Sequence, residues 1–226
     1  MRILAVMAHP DDAEIWCGGT ILRHVQAGDE VRIAILAGQL ETPRWVEAEE
    51  GARRLGCRAL PVGLADTAIR DTEPAVAGLK EIFTSFWPDL ILTHWFDDMH
   101  PDHEAAFRLV RRGLLRTCLE AGKDDLAAFP RTFCCDTYES RGLRGAFSPD
   151  RYVDVTGVWE AKLAALKAHE SQYLSHYVEM ISGQGASHGR AAGVARAEGF
   201  LYVPLFGRRD EGPPLGGNYA RQFMVV

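Results

Sequence analysis

ILAVMA at residues 3–8, followed without a break by HPDDAE at residues 9–14, is the stretch that decides the fold. The apolar run shows no alternation of polar and apolar side chains, so it reads as a strand buried on both faces. Strands of that kind belong to parallel sheets covered by helices on either side. The run ends on His9, Pro10, Asp11 and Asp12, polar groups that stay out of a core unless they are paired. Gly18-Gly19-Thr20 then opens a helix that runs to about Ala27 and closes at Gly28-Asp29. In open α/β sheets ligands collect beyond the carboxyl ends of the strands, which is where these polar residues stand.

The same alternation continues outward from that unit. Val31–Ala37 is a second strand, and residues 43–55 repeat Trp45, Ala48, Ala52 and Leu55 at helical spacing before Gly56. A short strand follows near Arg58–Val62, then a helix from about Pro74 to Phe86, broken by Pro88, and a strand at Leu90–Thr93. Pro101 to about Ala121 reads as a long helix with Phe107, Val110, Leu114 and Leu115 on one face. Strands and helices at this pace predict right-handed βαβ units. The expected fold is α/β, Rossmann-like, a mostly parallel sheet flanked by helices with a metal site at the carboxyl edge of the strands. One domain is expected over residues 1–226, less regular from about 122. There, strands are expected near 132–138 and 151–155 and a helix over 158–169. A mobile glycine-rich loop is expected over 182–193, and an irregular or subunit-docking tail around Gly212-Pro213-Pro214 and Gly216-Gly217.

Composition narrows the function classes. Hydrophobic residues make up 47%, charged residues 25% and the net charge is −6, values of an ordinary globular chain without a basic stripe. Nucleic acid and anionic membrane are therefore not expected as partners. Arg53–Arg54, Arg111–Arg112 and Arg208–Arg209 are pairs, not runs, and read as solvated faces. The apolar stretch at the N-terminus falls short of the roughly 7–15 residues of a secretory core, and none approaches the roughly 18 of a membrane span. The expected location is the cytoplasm. Five cysteines, with no C-x-x-C pair, suit free thiols in a reducing compartment; Cys17 is expected to pack the first turn of a helix.

HPDH at residues 100–103 is the second polar run, placed shortly after the strand at 90–93. Together the two runs offer His9, Asp12 and His103 as three protein ligands for one zinc-like ion. Three ligands leave a fourth position open for water, the ligand count of a catalytic zinc site. Asp11 and His100 stand beside them as a spare carboxylate and a spare imidazole.

HPDD before a Gly-Gly helix start, with D-x-H-P-D-H later in the chain, resembles the PIG-L/LmbE family of zinc-dependent N-deacetylases. The likeness runs from residue 1 to about 120 and continues faintly through LKAHESQ at 166–172 and AEGF at 197–200. It implies one Zn2+ per chain, with another divalent metal as the alternative, held by His9, Asp12 and His103. It further implies Asp11 as general base and His100 as the group that assists the oxyanion or the leaving amine. Adjacent aspartates at a strand end cannot share one direction, so one can face the ion and the other its water. Asp102 is expected to hold an imidazole in its working tautomer, and Asp98 occupies the acidic position of the family pattern. Met99 stands where many relatives carry arginine.

Arg44 aligns with a family arginine that contacts substrate, with Glu47 one turn on to steady it. Glu14 is expected in a structural role, His169 as either a packing or a functional histidine, and His188 as a lid residue; His24, His94 and His176 are given no role. Trp45, Trp95 and Phe96 are expected in the core more than against a sugar ring. The implied activity removes an N-acetyl or other acyl group from an amino sugar or sugar-containing metabolite. The alternative is an amidase acting on a bulkier non-sugar or thiol-conjugate amide with the same centre. The implied partner is a small N-acylated substrate, and relatives often assemble as trimers or hexamers. A two-metal phosphoesterase would use Asp11, Asp12, Asp98 and Asp102 as bridging carboxylates. A nucleotide-binding module is disfavoured, because HPDD would present carboxylates to a pyrophosphate.

Overall fold

The computed structural model describes residues 1–122, 128–213 and 215. Strands β1 (Arg2–Met7), β2 (Glu30–Ile35), β3 (Arg58–Pro61), β4 (Leu90–Thr93) and β5 (Arg131–Cys135) pair in parallel. Strands β6 (Arg151–Asp154) and β7 (Ala197–Val203) add antiparallel and complete a seven-stranded sheet of order β3-β2-β1-β4-β5-β7-β6. The unbroken apolar run of β1 is explained by two cores. Ile3, Ala5 and Met7 face a layer formed by helices α1 (Asp12–Gln26), α2 (Pro43–Leu55), α5 (Trp159–Leu166) and α6 (Leu174–Ala192). Leu4, Val6 and Ala8 face α3 (Glu73–Phe86) and α4 (Pro101–Glu120) on the other side.

The chain builds outward from β1 through β2 to β3, then returns to place β4 on the opposite side of β1. This reversal is the switch point at which open α/β sheets leave a crevice. Val6 pairs with Thr93, so β1 and β4 end almost level and their following loops leave side by side. The two polar runs meet for that reason.

Helix α1 begins at Asp12 rather than at Gly18. A break at Cys17 (φ −144°, ψ 15°) divides it, and Gly18 opens its second half. Cys17 is buried as expected. Helix α2 has Pro43 in its first turn, Thr42 as cap accepting from Trp45 N at 3.2 Å, and a left-handed Gly56 after its end. On α4, Phe107, Val110 and Leu114 are buried, whereas Leu115 is exposed. Strand β7 was not expected, since AEGFLYV shows neither clean alternation nor turn signals.

The largest correction concerns residues 182–193. They form the second half of α6, not a loop. Two of the glycines there serve close packing: a Cβ on Gly185 would lie 2.8 Å from the Trp159 ring, and one on Gly189 would lie 2.7 Å from Ala195 O. Gly216-Gly217 and Pro214 of the expected tail lie outside the described residues. Among the described residues no helix is long and apolar enough to cross a membrane.

Two glycines of α6 therefore respond oppositely to substitution. Gly185→Val should cost about 1–3 kcal/mol in urea unfolding through overpacking against Trp159. Gly183, with nothing within 4 Å of its Cβ direction, should instead gain up to about 1 kcal/mol as alanine. Equal responses at both positions would contradict the packed helix.

Candidate metal centre

The turn after β1 is closed by one carboxylate. His9 N donates to Asp12 Oδ2 at 2.7 Å, and Trp16 Nε1 donates to Asp12 Oδ1 at 3.1 Å. Asp12 is the first residue of α1 and is buried. From the neighbouring loop, His100 caps α4 by accepting the Asp102 amide on Nδ1 at 3.2 Å, and His103 follows in the first turn. His9 Nδ1 then lies 3.3 Å from Asp12 Oδ2, and His103 Nε2 lies 3.4 Å from Asp12 Oδ1. His9, Asp12 and His103, all buried, offer ligand atoms within 4.8 Å of one another.

His103 Nε2 is buried and has no hydrogen-bond partner. The far nitrogen of each imidazole is already engaged. His103 Nδ1 meets Asp98 Oδ2 at 3.0 Å, and His9 Nε2 meets Asp102 Oδ2 at 3.3 Å. Carboxylates on the outer nitrogen are what metal-ligating histidines use to fix tautomer and ring angle. Asp98 is held in turn by Thr137 Oγ1 at 2.7 Å and the His100 amide at 2.8 Å. Asp102 accepts from the Ile69 amide at 3.2 Å. Two imidazoles, one of them with an orphaned inward nitrogen, and one carboxylate form a donor set that fits a zinc-type ion.

His94, given no role from the sequence, stands inside this cluster. Its Nε2 accepts from Ala8 N at 2.9 Å and lies 3.2 Å from Asp12 Oδ2, and its ring stacks on His103 with centroids 3.7 Å apart. Its position directly after β4 was the available signal, because that strand end faces the switch point. Tyr138, also missed, stacks on His103 at 5.6 Å and meets Trp16 edge-on at 5.1 Å. It arrives from the segment after β5, which carries no motif.

Electrostatics separates the groups. Burial opposes the charge on Asp12, but His103 and His94 hold its carboxyl well below the usual range. Burial likewise works against charge on His103, yet Asp12 and Asp98 push it up to about 10. Asp11 goes the other way: burial, then the neighbouring Asp12, raises it, partly countered by Arg44. Burial, then His103 and His9, lowers His100. With Nδ1 accepting from Asp102, a neutral His100 carries its proton on Nε2.

Arg44 approaches Asp11 at 3.5 Å and is held by Asp66 at 2.7 Å. Glu47 does not steady it; Glu47 accepts from Ser171 N at 2.8 Å and Ser171 Oγ at 2.6 Å, fixing the turn that carries His169. His169 faces Glu14 at 3.4 Å, both buried. His188 pairs with Asp136 at 2.7 Å from within α6. Trp45 and Trp95 are buried, and Phe96 is 37% exposed at the rim.

Residues 4–114 match the model of the PIG-L family, described as GlcNAc-PI de-N-acetylase. That span is a PIG-L family domain. Membership makes it an enzyme, and the matched span contains both polar runs. Among its relatives is a diacetylchitobiose deacetylase of Thermococcus kodakarensis, 25% identical over 225 residues, covering 90% of this chain and 83% of that one. Another is a 4-oxalmesaconate hydratase of Pseudomonas putida, 21% identical over 223 residues, covering 88% and 86%. Of solved structures, the conserved protein TT1542 of Thermus thermophilus superposes with a TM-score of 0.78 at 27% identity, covering 93% of this PIG-L chain and 97% of that one.

His103 contributes to the way stability varies with pH. Its imidazole is protonated in both folded and unfolded chains below 6.5, but only in the folded chain between 6.5 and about 10. That contribution to stability is complete below 6.5 and is lost as pH rises toward 10. A divalent ion bound through His103 at pH 8 would therefore expel about one proton from it. Calorimetry in buffers of different ionisation enthalpy measures this; no proton release would contradict the charged pair.

Proposed function

We propose that this PIG-L enzyme is a zinc-dependent N-deacetylase that frees acetate from the nitrogen of an amino sugar or sugar-bearing metabolite. The observation that carries this is the orphaned His103 Nε2 facing Asp12 and His9, with a second buried carboxylate, Asp11, beside them. His9, Asp12 and His103 would hold the zinc, which would supply Lewis acidity for an amide carbonyl and lower the pKa of water to about 7. Asp11 takes the proton of the attacking water; its carboxyl is raised by burial and Asp12, which brings it closer to the working pH of a general base. His100, neutral and protonated on Nε2, donates to the carbonyl oxygen as that oxygen gains charge. Asp11 then returns its proton to the departing amine. Arg44, braced by Asp66, offers its remaining donors to a substrate hydroxyl.

The diacetylchitobiose deacetylase among the relatives supports an acetylated sugar as substrate. The donor set also suits other divalent first-row metals. An amidase for bulkier acyl or thiol-conjugate amides would use the same groups in a wider pocket.

Acetate release from N-acetylglucosamine oligosaccharides by zinc-loaded protein tests the proposal, alongside larger acyl amides and a conjugated unsaturated dicarboxylate. Asp11→Asn should lower kcat by about 10²–10⁴ with zinc content unchanged, whereas His9→Ala and His103→Ala should lose zinc. Hydration of the dicarboxylate with no amide cleaved, or full turnover by Asp11→Asn, would overturn it.

A further inference from the structure

The break at Cys17 leaves two halves of α1 to be joined. In an unbroken helix the Gly19 amide pairs with the Ile15 carbonyl, four residues back. Here each of these groups reaches a side chain from the far half of the chain. Gly19 N donates to Glu198 Oε1 at 2.9 Å, and Lys162 Nζ donates to Ile15 O at 2.8 Å. Lys162 and Glu198 are themselves joined at 2.6 Å and both are buried. Glu198 also accepts from Thr20 N at 2.7 Å and Thr20 Oγ1 at 2.6 Å. The carboxylate thus caps the second half of α1, where amides and the helix dipole favour an anion. Gly19 permits the approach, since a Cβ there would lie 2.6 Å from Val155 Cγ1 and 3.0 Å from Glu198 Oε1.

The short turn before the break carries Asp12 and Trp16, whose indole donates to Asp12. Lys162 grips this turn at Ile15, while Glu198 grips the half that follows. A buried ion pair is weak evidence of net stability, because desolvation offsets much of the attraction. Its place at this joint suits a geometric task.

We propose that Lys162 and Glu198 are positioning residues for the candidate metal centre. By spanning the break in α1 they hold the turn of Asp12 at the angle that aims its carboxylate at His9 and His103. This rests on those three residues being the metal ligands.

The full-length protein tests it through zinc affinity, by chelator competition, and hydrogen exchange at Gly19 and Thr20. Lys162→Met/Glu198→Gln removes both charges at near-constant size, so neither is stranded, and Glu198→Gln alone serves should the double variant not fold. Phe83→Leu, in the core on the opposite face of the sheet, is the control for a general loss of stability. The expected result is zinc binding weakened by about 10–100-fold, with faster exchange at Gly19 and Thr20, while Phe83→Leu keeps wild-type affinity. Wild-type zinc affinity in the charge-removed variant, whatever its melting temperature, would overturn the proposal alone. Wild-type affinity in His103→Ala would overturn the ligand assignment and the proposal with it.

Discussion

Asp12 is a carboxylate with 1% exposure, and the architecture around it depends on keeping that charge satisfied. An isolated carboxylate in a core is prohibitively costly. Its donors here are the His9 amide at 2.7 Å and the Trp16 indole at 3.1 Å, with the His103 imidazole at 3.4 Å and that of His94, itself accepting from Ala8 N, at 3.2 Å. They come from the turn after β1, from α1, from the end of β4 and from α4. No single segment can supply them. Only the sheet, by setting β1 against β4, assembles the set.

Around that charge the structure is layered outward. Asp98 and Asp102 fix the two imidazoles, and Thr137 from beyond β5 fixes Asp98. Lys162 on α5 and Glu198 on β7 reach the break in α1. The family match over 4–114 contains the candidate ligands together with Asp98 and Asp102, whereas Thr137, Lys162 and Glu198 lie beyond it. One residue of the antiparallel part of the sheet, Glu198 on β7, thus reaches the helix that carries Asp12.

Much of the site was legible because metal-type chemistry demands unusual residues at a strand end. His9, Asp11 and Asp12 follow an apolar run, and His100 to His103 follow the next strand but two. His94 offered only its place after β4 as a signal: a lone histidine beside Thr93 looks like any strand-end residue until its ring is found on His103. Tyr138, Lys162 and Glu198 carry no local pattern either. Glycine misled over 182–193, where Gly185 marks close approach to Trp159 rather than a free backbone.

The sequence by itself determined the parallel β1–β4 framework and the candidate ligands, because hydrophobic periodicity and polar strand ends are local signals. Tertiary structure alone decided which nitrogen of each imidazole faces inward, which carboxylate engages the other, and how a broken helix is joined. Those outcomes depend on distances between residues far apart in the chain, and no local pattern encodes them.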